Sequence, residues 1–394
     1  MKTSFAFLFT LLCFTGFTQS IERIDGISVS SSTIDEQLPF LIDAANVHGL
    51  SLFLFSGKEI LYESTLGYKN QKENQSLKNT HTLYAASLSK PLFAYLVLQL
   101  VDEGKLDLDE PLVNYLDQPI GTYVYRHDYE RYDDLQKDER HTLITARMCL
   151  AHTTGLPNWR YIVDGRIQFD HPLELEFDPG TTYSYSGEGI QLLQRVVEVV
   201  TQEKLETLAK KYVFAPLGMD QTSFLWQETF EGNYAVGHYK KKKILNRIKR
   251  DDQYAAGSME TTSSDYVKFL QGVLRQQGLS TSSYQEMITP QITIRSTQQF
   301  GPKRFIETDA HESIQLSYGL GWGIYQTPYG KAVFKEGHLQ GWEHLTVFYP
   351  EKDLGILIMT NSSNGESVFK ELLEVTVGDT WLPWYWENFI PYDQ

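Results

Sequence analysis

Ser87-Leu88-Ser89-Lys90-Pro91-Leu92-Phe93-Ala94-Tyr95-Leu96-Val97-Leu98-Gln99-Leu100-Val101 is the stretch on which the fold turns. From Leu92 to Val101 it is apolar nearly all round, so a helix over about 87–103 is buried on every side. Gly104 is placed to end it. A helix wrapped completely by protein needs layers around it, and the flanking sequence supplies them. Upstream, residues 50–55 and 59–66 read as two strands joined at Ser56-Gly57. Downstream, Ile190, Leu193, Val196, Val197 and Val200 recur at helical spacing over 188–202. Near the end, 344–349 and 354–360 read as strands around Pro350-Glu351-Lys352-Asp353, and a last helix covers about 365–377. Strands therefore lie at both ends and helices between them. The predicted class is mixed α/β: one antiparallel sheet from the N- and C-terminal segments with an inserted helical lobe. The sheet lobe is placed at 35–85 and 250–394 and the helical lobe at 86–249, with the functional cleft between them.

Composition agrees with a packed domain. Of 394 residues, 41% are hydrophobic and 22% charged, which excludes a disordered or collagen-like chain. Fifty acidic side chains outnumber 35 basic ones, for a formal charge of −15, and a chain this acidic repels phosphate backbones. Nucleic-acid partners are therefore not expected. Lys2 precedes a mostly apolar run, Phe5 to Phe17, too short to span a bilayer. Thr18 and Ser20 suit a cleavage site, so residues 1–20 read as a secretory signal peptide and the product as secreted or periplasmic, meeting a membrane only through that leader. An uncleaved anchor is the alternative. A lipoprotein is disfavoured because Leu12 precedes Cys13. With Cys13 removed, Cys149 has no intramolecular partner.

Ser87 and Lys90 are three residues apart, and on a helix such positions share a face. A hydroxyl is a poor nucleophile until a neighbouring base or positive field activates it, and Ser87 also lies at a helix start, where the macrodipole is positive. Pro91 fits the first turn, whose amides lack helical partners. The spacing alone is weak: Ser367-Val368-Phe369-Lys370 has it too, inside the last helix among acidic residues, and is read as incidental.

The neighbourhood is more specific. Tyr84-Ala85-Ala86-Ser87-Leu88-Ser89-Lys90-Pro91 resembles the nucleophile motif of the serine β-lactamase and penicillin-binding-protein superfamily, in its branch of class C β-lactamases, D-aminopeptidases, D,D-carboxypeptidases and esterases. Other segments follow in that branch's order: 101–108, 150–157, Pro179-Gly180 through Tyr185-Ser186-Gly187, 255–259, 318–322 and 337–341. Together they cover about 35–375. The resemblance implies a β-lactamase/transpeptidase-like fold and a serine hydrolase cleaving an amide, lactam or ester through an acyl-enzyme. The substrate would be a small molecule, a peptide or an ester. A non-catalytic wall-binding or sensor protein on the same fold is the alternative.

By the same resemblance Tyr185 stands where the family has Tyr-x-Asn. It would take the Ser87 proton, its phenolate favoured by the lysine ammonium; Tyr183 is the fallback. Gly187 replaces the family's Asn and offers no amide to substrate, though Glu188 is close enough in sequence to compensate. His338-Leu339-Gln340 stands where classical members have Lys-Thr-Gly and many relatives His-x-Gly. His338 would supply the basic group, with Gln340 a departure that Gly341 leaves open to a one-residue shift. The oxyanion donors are assigned to the amides of Ser87 and of Gly341 or Trp342.

Other signals receive plain readings. Residues 121–141, rich in charge and tyrosine, read as a solvated surface insertion. Lys240–Lys243 with Arg247, Lys249 and Arg250 read as an exposed basic hairpin, and the aromatic tail 381–392 as packing on the N-terminal segment. His152 reads as structural. No His-Glu-x-x-His, cysteine cluster or Walker loop occurs, so no metal or cofactor is expected. Gly-x-Ser-x-Gly is also absent, which argues against an α/β-hydrolase.

Overall fold

The computed structural model describes residues 19–127, 130–163, 166–239 and 243–393. Most of the leader and Lys240–Lys242 lie outside them. The predicted mixed α/β architecture is present. Its centre is an antiparallel sheet of six long strands. They are β1 (Gly49–Phe55), β2 (Ile60–Asn70), β3 (Gly323–Thr327), β4 (Gly330–Leu339), β5 (Trp342–Tyr349) and β6 (Leu354–Thr360). In space they run β3-β4-β5-β6-β1-β2, so the C-terminal hairpins meet the N-terminal hairpin along β6–β1. Short strands at 292–293 and 317–318 extend the β3 side, and 75–76 the β2 side.

Every residue of β1 is buried, because both faces of the sheet are covered. Its side chains alternate between two cores, as the pleat requires. Leu50, Leu52 and Leu54 face helix α1 (Ser31–Ala44) and the last helix, Phe369–Thr376. Phe53 and Phe55 face the helical side. That side is built around α2 (Ser89–Asp102), in which Ser89 through Leu100 are all buried, as the run of apolar residues predicts. Helices α3 (Gly187–Thr201) and α4 (Ser263–Leu274) pack in the same core. Ser87 itself precedes α2, in a 3-10 turn over Ala86–Leu88.

Two details concern the periphery. The first hairpin turns through four residues, 56–59, because the Ser56 hydroxyl accepts the amides of Lys58 and Glu59 and holds a wider loop. The tail packs on residues 296–299 and Tyr183, within the core cluster that also holds Ile21, Ile24 and Val29 of the N-terminal segment. Trp386 is fully buried there, with its indole N–H on Ser296 Oγ at 3.0 Å and its ring 5.9 Å from that of Tyr183.

Candidate active site

The turn carrying Ser87 is held in a conformation the chain would not adopt alone. Ala86 has φ +49°, uncommon for a residue with a Cβ. The cleft around it enforces this. The Ala85 amide donates to Met259 O at 2.9 Å, the Ser89 hydroxyl to Ala86 O at 2.6 Å, and the Tyr266 hydroxyl to Leu88 O at 3.0 Å. Strain stored beside a buried helix start is a mark of a functional position.

Lys90 is one turn further on and almost wholly buried. Its Nζ lies 3.1 Å from Ser87 Oγ and donates to Ala256 O at 2.6 Å. Burial and the neighbouring Lys335 ammonium push its pKa well below the ordinary lysine value. An amine in that state has a lone pair to offer.

Tyr185 reaches the same point from the segment before α3. Ser186 caps that helix, its hydroxyl accepting Gly189 N–H at 2.9 Å. The Ser186 amide donates to His152 Nδ1 at 3.1 Å and the Ser184 amide to His152 O at 2.9 Å. The His152 ring lies 4.2 Å from the Tyr185 ring. His152 is thus a brace for Tyr185. Lys90 Nζ and Lys335 Nζ each lie 4.8 Å from the Tyr185 ring centroid. The buried hydroxyl makes no hydrogen bond of full geometry. Burial raises its pKa, Lys335 and Ser87 lower it, and the balance stands at about 12. The expected phenolate is therefore corrected: desolvation outweighs the cations, and Tyr185 is a neutral phenol. Tyr183, in the same core cluster as Tyr185, packs against Tyr318 and Trp386.

The basic group on the strand is also corrected. Lys335, fully buried on β4, faces Tyr185, its ammonium held by Glu336 Oε1 at 2.6 Å and Glu336 O at 3.0 Å. Burial opposes its charge, but Glu336 outweighs burial and raises its pKa. Gly337 closes the triplet. A Cβ there would lie 2.9 Å from Ala85 O and 3.1 Å from Leu88 Cγ, so glycine lets the strand press on the Ser87 turn. Sequence reading missed Lys335-Glu336-Gly337 by aligning the neighbouring histidine instead. The available signal was a Lys-x-Gly triplet three residues upstream. The His338 side chain pairs with Glu343, at 2.6 Å, and Glu366, at 3.7 Å, and does not meet Tyr185, although His338 lines the same cavity as Ser87. Burial opposes its charge, but the two carboxylates lift its pKa to about 10. These three side chains bring donor atoms within 4.8 Å of one another, the one such group among the described residues that could hold a cation.

Three further assignments change. The Gly341 amide is taken by Ser363 Oγ at 2.6 Å, and Gly341, at φ +87°, lies in the hairpin turn beyond the cleft with exposed Gln340. Trp342 is a packing wall, with the Arg247 guanidinium 4.5 Å over its ring. Gly187 has no room for a side chain: a Cβ would lie 2.7 Å from Asn158 O and 2.9 Å from the Trp159 ring. Glu188 does not replace the missing amide, because its carboxylate is committed to Arg160 at 2.8 Å in a buried pair.

Ser87 opens into a cavity of about 270 Å³ whose walls include Tyr84, Tyr132, Trp159, Gln191, Arg250 and Tyr254. Two segments given plain readings from sequence contribute here. Tyr132 and Glu130, from the supposed surface insertion, form one wall, and Arg250, from the supposed exposed hairpin, forms another. Arg247 is buried too, paired with Glu260.

A serine beside a buried lysine, opening into a partly open cavity with several aromatic walls, is an arrangement suited to a serine hydrolase class. The family model for Beta-lactamase matches residues 36–376, and the chain belongs to that family. Penicillin-binding protein 4* of Bacillus subtilis (strain 168) is 22% identical over 351 residues, 81% of this chain and 69% of that protein. Esterase EstB of Burkholderia gladioli is 28% identical over 191 residues, 43% of this chain and 45% of that one. The octameric penicillin-binding protein homologue from Pyrococcus abyssi superposes with a TM-score of 0.69 at 20% identity, covering 91% of this chain and 79% of that one.

Proposed function

We propose that the protein is an exported serine hydrolase that cleaves an amide, lactam or ester through an acyl-enzyme on Ser87. The observation that carries this reading is the meeting of Lys90 and Tyr185 at Ser87, with Lys335 set against the Tyr185 ring. Lys90, whose burial beside Lys335 lowers its pKa, accepts the Ser87 proton as Oγ bonds to the substrate carbonyl carbon. The resulting oxyanion needs two amide donors. One is the Ser87 amide. The other is that of His338. Leu339 pairs with Trp342 to close the two-residue turn, and ladder alternation then directs the His338 amide away from β5. Collapse breaks the bond from carbonyl carbon to leaving group. The leaving group receives a proton from the Tyr185 phenol, which recovers one from Lys90. Water then attacks the Ser87 ester, releasing the acid and restoring the hydroxyl.

A fluorophosphonate or fluorescent penicillin tests the reading. The expected outcome is one label per chain on wild type and none on Ser87→Ala. No label on wild type, or equal label on both, overturns it. Export rests on the leader at residues 1–20, and the intact mass of the exported protein checks it: a mature chain beginning at Met1 contradicts cleavage.

A further inference from the structure

The side chains of His338, Glu343 and Glu366 take no part in the chemistry proposed at Ser87, yet three separate elements bring them together. His338 on β4 is the direct cross-strand partner of Glu343 on β5. Glu366 comes from the 3-10 turn Gly365–Val368, which leads into the last helix. One donor atom from each lies within 4.8 Å of the other two. The charges in this cluster do not balance. Glu343 is buried and Glu366 is partly buried. Among the described residues, His338 is the one ion-pair partner of either carboxylate, 2.6 Å from Glu343 and 3.7 Å from Glu366. The cations on the neighbouring elements are committed elsewhere. Lys335 pairs with Glu336, Arg247 with Glu260, and Lys370 with Glu374 at 3.1 Å.

Two carboxylates brought together repel, and burying one is costly unless positive charge compensates it. One imidazolium supplies a single charge for the two. A divalent ion supplies both charges and binds all three donors at once. An imidazole nitrogen with carboxylate oxygens suits transition metals such as Zn2+, whereas Mg2+ and Ca2+ prefer oxygen alone. Bonds of about 2.0–2.2 Å to such an ion set its donors roughly 3–4 Å apart, so this cluster needs only a small adjustment. The exposed His338 ring is placed to make it, with 61% of its side chain open to solvent. We propose that His338 Nδ1, Glu343 and Glu366 bind a divalent transition-metal ion, which clamps the end of the β4–β5 hairpin to the turn before the last helix. The ion replaces the proton that His338 shares with Glu343, and that proton passes to solvent. His338 also lines the Ser87 cavity, so the clamp lies at its rim. The inference does not depend on Ser87 being the nucleophile.

Equilibrium dialysis of untagged protein against Zn2+, with metal analysis, tests the site. Wild type is expected to hold about one Zn2+ per chain at micromolar free metal. His338→Gln and Glu366→Gln, both at solvent-accessible side chains, should each weaken binding by at least about tenfold. Millimolar Mg2+ should not displace the ion, because the imidazole selects against it. No Zn2+ on wild type, undiminished binding in both variants, or displacement by Mg2+ overturns the assignment. Urea denaturation gives a second reading. An ion that binds only the folded chain stabilises it, so Zn2+ should raise the wild-type midpoint and leave that of Glu366→Gln where it was. A wild-type midpoint that does not move overturns the clamp. Circular dichroism of each variant without metal verifies folding.

Discussion

Lys90 and Lys335 divide the work that one lysine would do badly. A buried ammonium next to another is destabilised, and the one without a carboxylate has its pKa lowered. Lys335 has Glu336; Lys90 has only Ser87 and a carbonyl. This sets the sign of the pH dependence. The proposed mechanism needs Lys90 unprotonated, so kcat/KM is expected to fall on the acid side as Lys90 takes up a proton. Lys335→Met removes the neighbouring positive charge, so the Lys90 pKa rises and the acid limb of the profile moves to higher pH. A profile measured across pH 5–9 checks this; an acid limb that stays put contradicts it. Ser87 and Lys90 were legible in the sequence because their spacing stands within a run of motifs that resembles the family. The charge states were not, since burial and Lys335 come from other parts of the chain.

At the scale of elements, two glycines control how strand and helix approach the nucleophile. Gly337→Val would drive a side chain into Ala85 O and Leu88. Overpacking of this kind typically destabilises by about 1–3 kcal/mol. Here it also displaces the Ser87 turn, so fluorophosphonate labelling should fall at least as steeply as urea stability. Gly187→Asn makes the chain look more like its family but has no space, with Asn158 O 2.7 Å from the new Cβ. It is expected to lower the urea midpoint and to leave turnover of amide substrates no better than wild type. Gain of amide turnover would contradict this geometry. The elements themselves were predictable: β1, β2, β5, β6, α2 and α3 follow from apolar periodicity and agree within a few residues. The triplet Lys335-Glu336-Gly337 was not recognised, because His338 competes for the same pattern in one dimension. Only the tertiary contacts, His338 with Glu343 and Lys335 with the Tyr185 ring, separate them.

At the scale of the molecule, the chain's last segment supports the site from behind. Trp386 packs on Tyr183, two residues from Tyr185, and joins the second core. Trp386→Ala should cost about 3–5 kcal/mol, the range for removing a large buried aromatic. Urea denaturation checks the loss. Labelling of Ser87 at low denaturant should weaken before global unfolding if the Tyr183–Tyr185 segment loosens first.

Local pattern was enough for the fold class and the buried helix, and the motifs that resemble the family pointed to Ser87, Lys90 and the tyrosine segment. Each of these is carried by residues close together in the chain, where periodicity and spacing have direct physical meaning. The tertiary structure alone decided which strand lysine meets Tyr185, that the phenol stays protonated, and that Glu130, Tyr132 and Arg250 wall the cavity. Those depend on the direction of a side chain and on what buries it. Direction and burial are set by contacts between residues many positions apart, and no short window of sequence contains them.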